Sequence, residues 1–202
     1  MQTEWIPLLG VTVAEPMPRR PRADGQRNRV RILEVALPLF VVRGPDVPFT
    51  EIAKQAGVGV GTVYRHFPAR EDLIEAAYRS ELDAVCAAAT ELLEQLSPQD
   101  ALRIWMDRFV DYWATKIGLG DAIRAVVAAG RDPYAQSREQ VDEAVATLLS
   151  ATAAAGITRP EVDPDDVVVA LSGVAMVADV LEDRDQVSRV LDLLYEGIRT
   201  RP

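Results

Sequence analysis

The sequence predicts an all-α fold with a compact N-terminal unit of three short helices and a larger helical body. Apolar residues recur at helical spacing through most of the chain. No segment alternates with a period of two for long, so no sheet is expected. With 202 residues, 49% of them apolar and 26% charged, the chain can bury a substantial core and has a globular composition.

Residues 1–23 are predicted to be a disordered, basic and proline-rich lead-in. The first 13 residues lack the basic leader of a signal peptide, and Met17 is an alternative start. Arg19, Arg20 and Arg22 follow among three prolines, where they form either an arm along a nucleic-acid backbone or a solvated tail. No stretch reaches the roughly 20 apolar residues of a membrane span, so a cytoplasmic protein is expected.

Three short helices are predicted within residues 24–70. The first begins near Asp24, is expected to kink at Pro38 and ends at Gly44. The second runs from about residue 48 to 56 and the third from about 60 to 67, joined by the glycine-containing turn at 57–61. Such a unit is a helix-turn-helix. The apolar face predicted for the first helix consists of Val30, Leu33, Leu37, Phe40 and Val41.

The body, residues 71–202, reads as long helices separated by short breaks. Glycine, proline and acidic pairs mark the breaks. The predicted helices span residues 69–95, 97–117, 121–129, 137–155, 163–181 and 184–199. The helix over 163–181 is apolar nearly all round, which indicates a second covering layer.

The charges are distributed unevenly between these two parts. Residues 1–70 carry 10 basic and 6 acidic side chains, whereas residues 71–202 carry 12 and 25, within a net charge of −9. A basic front on an acidic body is expected when only the front contacts phosphate.

The segment 49–73, FTEIAKQAGVGVGTVYRHFPAREDL, contains the candidate nucleic-acid contacts. In a helix-turn-helix the third helix presents its exposed side chains to the major groove. Hydroxyls suit phosphate oxygens and an arginine can pair with guanine, although Tyr64 and His66 taken in isolation could be packing residues. The candidate DNA contacts are Thr50, Gly61, Thr62, Tyr64, Arg65, His66 and Arg70.

This segment resembles the TetR (tetracycline-repressor-like) family of bacterial regulators. The matching residues are Ile52-Ala53, Ala56-Gly57-Val58 and Gly61 to Phe67, followed by Arg70 and Leu73. The resemblance covers residues 24–80, under a third of the chain, and Pro38 departs from it. It implies a DNA-binding regulator, here expected to be a repressor released from its operator by a small-molecule effector, although activation is the alternative.

The resemblance further implies a ligand-binding body. Large apolar side chains on one stripe of the helix over 97–117 suit a pocket, although such a stripe is core more often. Tyr112 is a further candidate. The candidate ligand contacts are Trp105, Met106, Phe109, Trp113, Val126, Val127, Leu148 and Met176.

The resemblance also implies a homodimer that reads a pseudo-palindromic operator with two heads about one DNA turn apart. The alternative is that the helix over 163–181 is the centre of a monomeric bundle. The candidate interface residues lie on the last two helices: Ala170, Gly173, Val174, Val177, Val187, Val190, Leu191, Leu194 and Ile198.

Other classes of function are less favoured by the composition. His66 is the only histidine and Cys86 the only cysteine, so a histidine-based catalytic triad or a zinc cluster is not expected. No enzyme activity, cofactor or metal is predicted. The competing interpretations are a helical enzyme or carrier with a structural front segment, and a non-specific architectural DNA-binding protein.

Overall fold

The computed structural model of the protein describes residues 21–181 and 183–200. Within these ranges the chain forms helices and no strand, apart from one isolated bridge between Thr158 and Arg199. The helices are α1 Pro21–Arg43, α2 Phe49–Ala56, α3 Val60–His66, α4 Arg70–Gln95, α5 Pro98–Gly118, α6 Gly120–Ala128, α7 Ser137–Ala154, α8 Pro164–Leu181 and α9 Arg184–Ile198. The predicted all-α class is confirmed, while the lead-in over residues 1–20 lies outside the described ranges.

Helix α1 differs from the prediction in its start and in its buried face. It begins at Pro21, three residues early, because a proline fits the first turn of a helix, where its missing N–H is not needed. Ile32, Ala36 and Phe40 are buried, whereas Val30 is 43% exposed. The predicted face was therefore wrong for Val30, since α1 packs against α2 to α5 through the side that carries Ile32.

Pro38 lies inside α1, and the helix continues beyond it to Arg43. An interior proline deprives the carbonyl four residues earlier of its usual donor. That residue is Glu34, and both it and Pro38 are exposed, so water can reach the carbonyl. The proline is therefore accommodated without ending the helix.

The head, α1 to α3, is organised around the turn after α2. Gly57 has φ +64°, a left-handed conformation that favours glycine, and the N–H of Val58 donates to the carbonyl of Ala53 at 3.0 Å. A Cβ on Gly57 would also lie 2.7 Å from Nη2 of Arg31. This tight turn lets Val63 of α3 pack inward beside α2.

The body, α4 to α9, is built around α5, which packs against α1, α4, α6, α7, α8 and α9. Its buried side chains include Leu102, Trp105 and Phe109. Nε1 of Trp105 donates to the carbonyl of Val85 on α4 at 2.8 Å, which satisfies the one polar atom of this fully buried ring. None of the helices in the described ranges combines the length and hydropathy of a membrane span.

The end of α5 contacts the head directly. Gly118, the last residue of α5, approaches Val41 of α1 so closely that a Cβ built on the glycine would lie 2.6 Å from Cγ1 of Val41. Two further atoms of the same valine lie within 3.5 Å of that position. Only a residue without a side chain fits between the head and the body here.

Gly118→Ala is expected to destabilise the protein by about 1–3 kcal/mol, because the added methyl must displace a branched side chain held by packing. Urea denaturation measures the change in the free energy of unfolding. Val41→Ala in the same chain should recover most of the loss.

The matched control is Gly197→Ala, near the end of α9, where a Cβ meets nothing within 4 Å. Helix propensity alone should stabilise that variant by up to about 1 kcal/mol. Equal effects of the two substitutions would contradict the close contact at Gly118.

Candidate nucleic-acid interface and cavity

The third helix presents a polar face away from the head. Gly61, Tyr64 and Arg65 are exposed at spacing i, i+3, i+4, while Val63 and Phe67 are buried on the opposite side. Arg65 has no ion-pair partner among the described residues. Of the other two candidates nearby, Thr62 is half-buried and Thr50 of α2 is exposed. Three of the seven predicted contacts, Gly61, Tyr64 and Arg65, therefore share one exposed face of α3.

The ring of Tyr64 packs against Phe49, yet more than half of the residue is exposed. Its ring centroid lies 5.0 Å from that of Phe49, with the planes tilted by 56°, while the residue remains 55% exposed. Tilted aromatic pairs at this separation are favourable. A bulky, largely exposed side chain of α3 is thus held in place by packing within the head.

His66 lies apart from Tyr64 and Arg65. It is half-buried at the edge of a groove of about 710 Å³ between α1, α3 and α4, and a Cβ on Gly25 would lie 4.0 Å from its Cε1. Its ring centroid is 6.2 Å from that of Phe67. His66 therefore faces the start of α1, and its predicted contact with DNA stays a prediction.

Arg70 is held by the fold. Its Nη1 donates to the carbonyls of Pro45 at 2.5 Å and Val47 at 2.6 Å, and its Cζ lies 5.4 Å from the centroid of the Phe49 ring. The guanidinium thereby fastens the loop between α1 and α2 to the start of α4. This internal role was not predicted from the sequence, and contact with phosphate stays a prediction for Arg70.

A second arginine ties the start of α4 to the loop between α6 and α7. Nη1 of Arg131 lies 2.7 Å from Oδ1 of Asp72 and 3.3 Å from Oε2 of Glu75. The backbone N–H of Ala69 donates to Oδ2 of Asp72 at 2.8 Å. This backbone hydrogen bond, followed by the Arg131 guanidinium, holds the pKa of the Asp72 carboxyl below its usual value. The first turn of α4 therefore has partners in both parts of the molecule.

The body contains a cavity of about 330 Å³ between α5, α7 and α8. This volume lies at the lower end of the range of small-molecule sites. Aromatic, hydroxyl and basic side chains form its wall: Phe109, Tyr112, Trp113, Lys116, Tyr134, Ser137, Arg138, Val141, Val168 and Ser172. Two of the predicted ligand contacts, Phe109 and Trp113, therefore line a common cavity, as does Tyr112.

The remaining ligand candidates lie elsewhere. Trp105, Met106, Val126 and Leu148 are fully buried in the core and are absent from the cavity wall. Val127 and Met176 are 49% and 62% exposed, on α6 and α8. The helical stripe identified the right segment of α5, but it could not separate its core turns from the turn at the cavity. Apart from Lys116 on α5, the unpredicted lining residues come from α7, α8 and the loop before α7, which only tertiary packing brings to α5.

A hydrogen-bonded chain of hydroxyls runs behind the cavity wall. The hydroxyl of Tyr78 on α4 lies 3.1 Å from that of Tyr112 and donates to Oγ of Ser137 at 3.2 Å. Burial, followed by the hydrogen bond to Tyr78, raises the pKa of Tyr112 far above its usual value, so this hydroxyl is neutral at physiological pH. The chain connects α4, α5 and α7.

One face of α8 is uncovered. Val167, Val168 and Leu171 are buried against the body, whereas Val169, Met176 and Val177 are 56%, 62% and 49% exposed. We call this exposed stripe, with Gly173 between its members, the α8 face. On α9, Leu193 is 73% exposed.

The predicted interface residues divide between these two environments. Ala170 and Val174 on α8 and Val190 and Leu194 on α9 are half-buried, and Gly173 and Val177 are exposed. Val187, Leu191 and Ile198 are 2%, 0% and 7% exposed because they form the inner face of α9. The prediction of an exposed subunit contact was therefore wrong for these three residues. The apolar side of an amphipathic helix does not reveal whether it is covered by the same chain or by a second copy.

Comparisons with known proteins match both parts of the chain. The family described as bacterial regulatory proteins, tetR family, matches residues 32–77. The family described as transcriptional regulator SbtR-like, C-terminal domain, matches residues 97–200. An HTH-type transcriptional regulator of Staphylococcus aureus (strain USA300) is 41% identical over 63 residues, which is 31% of this chain and 34% of that protein. The chain thus aligns with about a third of the length of the curated relatives it matches.

Two solved structures extend the similarity over nearly the whole fold. The TetR transcriptional regulator SCO0520 from Streptomyces coelicolor has a TM-score of 0.82 and 45% identity, covering 86% of this chain and 99% of that one. The TetR transcription regulatory protein from Mycobacterium vanbaalenii has a TM-score of 0.74 and 33% identity, covering 90% and 100%.

Together with the exposed third helix, these matches define a DNA-binding transcriptional regulator. The chain belongs to the TetR family of bacterial regulators. The prediction of a regulator that is not an enzyme is therefore confirmed.

Proposed function

We propose that this regulator is a homodimeric repressor that leaves its operator when a small molecule enters the cavity between α5, α7 and α8. The proposal rests chiefly on one observation: a single helix, α4, contacts both the cavity wall and the head. Helix α4 carries Tyr78, whose hydroxyl contacts two lining residues, and it begins at Arg70, which holds the head. A protein acting on the chromosome works in the cytoplasm, where we place it.

The α8 face supports the dimer. Val169, Met176 and Val177 form a continuous apolar stripe on a single helix. Exposed stripes of this kind mark contact surfaces, and a second copy of the chain would pair the same stripe with itself across a two-fold axis. Two heads then bind two half-sites of one operator.

Release from DNA follows from a shift between two arrangements of α4. A ligand that separates Tyr112 from Tyr78 removes a contact between α5 and α4, and a tilt of α4 moves the turn held by Arg131 and Arg70. The ligand shifts the equilibrium only by its differential affinity for the two arrangements. Changing the separation of the two heads lowers the affinity for the operator.

Selection of bound sequences from random duplex DNA tests this function. We expect a pseudo-palindrome with half-sites roughly 34–36 Å apart. The affinity should fall steeply with salt, because phosphate contacts release counterions. Fluorescence anisotropy of the selected duplex measures both the affinity and the release by added ligands.

Three outcomes would each contradict the proposal. Absence of duplex binding at low ionic strength would favour a helical carrier or enzyme. Equal affinity for selected and random duplexes would favour an architectural DNA-binding protein. An operator that lies upstream of a promoter and raises transcription when bound would instead indicate an activator.

A further inference from the structure

The charge of the cavity wall is opposite to that of the protein. The chain has a net charge of −9, yet the ten lining residues include Lys116 and Arg138 and no carboxylate. By contrast, the groove at His66 is lined by both carboxylates and arginines, and the smaller cavity at Cys86 is lined by Glu143 and no basic residue. A basic wall within an acidic protein indicates that the cavity receives a negative charge.

Of the two basic residues, Lys116 is the one without an acidic partner. Arg138 pairs with Asp142 and Asp165, whereas Lys116 forms no ion pair and no hydrogen bond within the described ranges. It is half-buried in the last turn of α5, where the helix dipole offsets only part of its charge. Burial lowers the pKa of the Lys116 ammonium below its usual value. An incoming anion would supply the missing counter-charge.

The aromatic rings are already in contact with this cation. Nζ of Lys116 lies 4.3 Å from the centroid of Trp113 and 5.2 Å from that of Tyr134. Ring faces of this kind also attract organic cations. A cationic ligand would have to displace Lys116 from both rings and accept its repulsion, so the geometry favours an anion over a cation.

The hydroxyl chain provides a second donor. A hydroxyl has one hydrogen to donate. Since Tyr78 donates to Ser137, Tyr112 must donate to Tyr78, which leaves the hydrogen of Ser137 unused at the cavity wall. The hydroxyl of Ser172 donates its hydrogen to the carbonyl of Val168 at 2.7 Å. Lys116 and Ser137 can therefore both donate to an oxygen anion in the cavity.

We propose that the effector is an organic carboxylate with a flat apolar body, whose carboxylate pairs with Lys116 and accepts from Ser137. The body packs among Phe109, Trp113 and Val168, in a space that fits a molecule of modest size. This inference rests on the proposed function, because it names the ligand class of the same cavity.

The test compares three probes with one body and different head groups: 4-phenylbutyrate, 4-phenylbutyramide and 4-phenylbutylamine. Isothermal titration calorimetry on the full chain without DNA gives each dissociation constant. Hydrogen bonds to charged groups imply that the carboxylate binds about tenfold or more tightly than the amide. The amine is expected to bind weakest.

Lys116→Gln should reduce the preference for carboxylate over amide to about one, and Lys116→Arg should retain most of it. The matched control is Lys54→Gln, at the only other lysine of the chain, exposed on α2. It should leave all three dissociation constants unchanged. Melting temperatures confirm that each variant is folded, and Lys116→Gln should melt no lower than the parent, because an unpaired, half-buried charge is removed.

Tighter binding of the amine, equal binding of carboxylate and amide, no binding of the carboxylate at millimolar concentration, or a preference that survives Lys116→Gln would each overturn the inference. Other results would contradict the proposed function and leave the ligand class intact. If the protein binds the carboxylate but stays bound to its operator, only the release of DNA by the ligand is contradicted. A protein released by a neutral or cationic molecule contradicts the ligand class alone.

Discussion

Arg65→Gln is expected to weaken binding to the selected operator by roughly 5- to 150-fold, while affinity for random duplex changes far less. An arginine that pairs bidentately with guanine contributes about 1–3 kcal/mol of discrimination between bases. Arg65 is exposed beside Tyr64 and has no internal ion pair in the described ranges, so its loss should leave the fold intact. Anisotropy titrations with both duplexes at one salt concentration measure the ratio.

The matched control is Arg108→Gln. Arg108 is also an exposed helical arginine with no ion pair among the described residues, but it lies on α5 of the body. Its removal should change neither affinity. If Arg65→Gln lowered both affinities by the same factor, Arg65 would contact phosphate only. That result would contradict the predicted contact with a base.

Val177→Asp is expected to weaken the dimer at least about 100-fold, so that the protein is monomeric at micromolar concentration. An unpaired carboxylate buried at a subunit contact costs several kcal/mol, and two-fold symmetry places it there twice. A monomer presents one head, so affinity for the full operator should fall in parallel. Sedimentation velocity and anisotropy test the two effects.

Val127→Asp is the control for this substitution. Val127 on α6 and Val177 on α8 are each 49% exposed, so the two variants alter surface hydrophobicity equally. Only the substitution on the α8 face should change the sedimentation coefficient. A Val177→Asp protein that sediments as the parent does would place the subunit contact on another surface.

Features that depend on local chemistry could be predicted from the sequence. Glycine and proline positions predicted the helix ends to within about three residues, as at Gly44 and Gly57. The alternation of buried Val63 and Phe67 with exposed Tyr64 and Arg65 also follows from helical spacing. The helix-turn-helix and its polar face were therefore predictable.

Features that depend on which helices meet were not predictable. Lys116 and Ser137 are ordinary polar residues in their own helices, and only the packing of α5 against α7 makes them neighbours of one cavity. Arg70 suits a phosphate contact by type and position, yet its Nη1 donates to two carbonyls from a loop 23 to 25 residues earlier. Hydrophobic spacing on α9 likewise could not distinguish an inner face from a subunit contact.

The buried residues Leu73 and Ile74 at the start of α4 belong to the same apolar cluster as Phe40 of the head and Trp105 of the body. A chimera that grafts this head onto another regulator by cutting near residue 70 would sever that cluster and leave two fully buried side chains facing water. Operator specificity is better exchanged between relatives by substituting the exposed positions of α3. These positions can change without altering the packing between the head and the body.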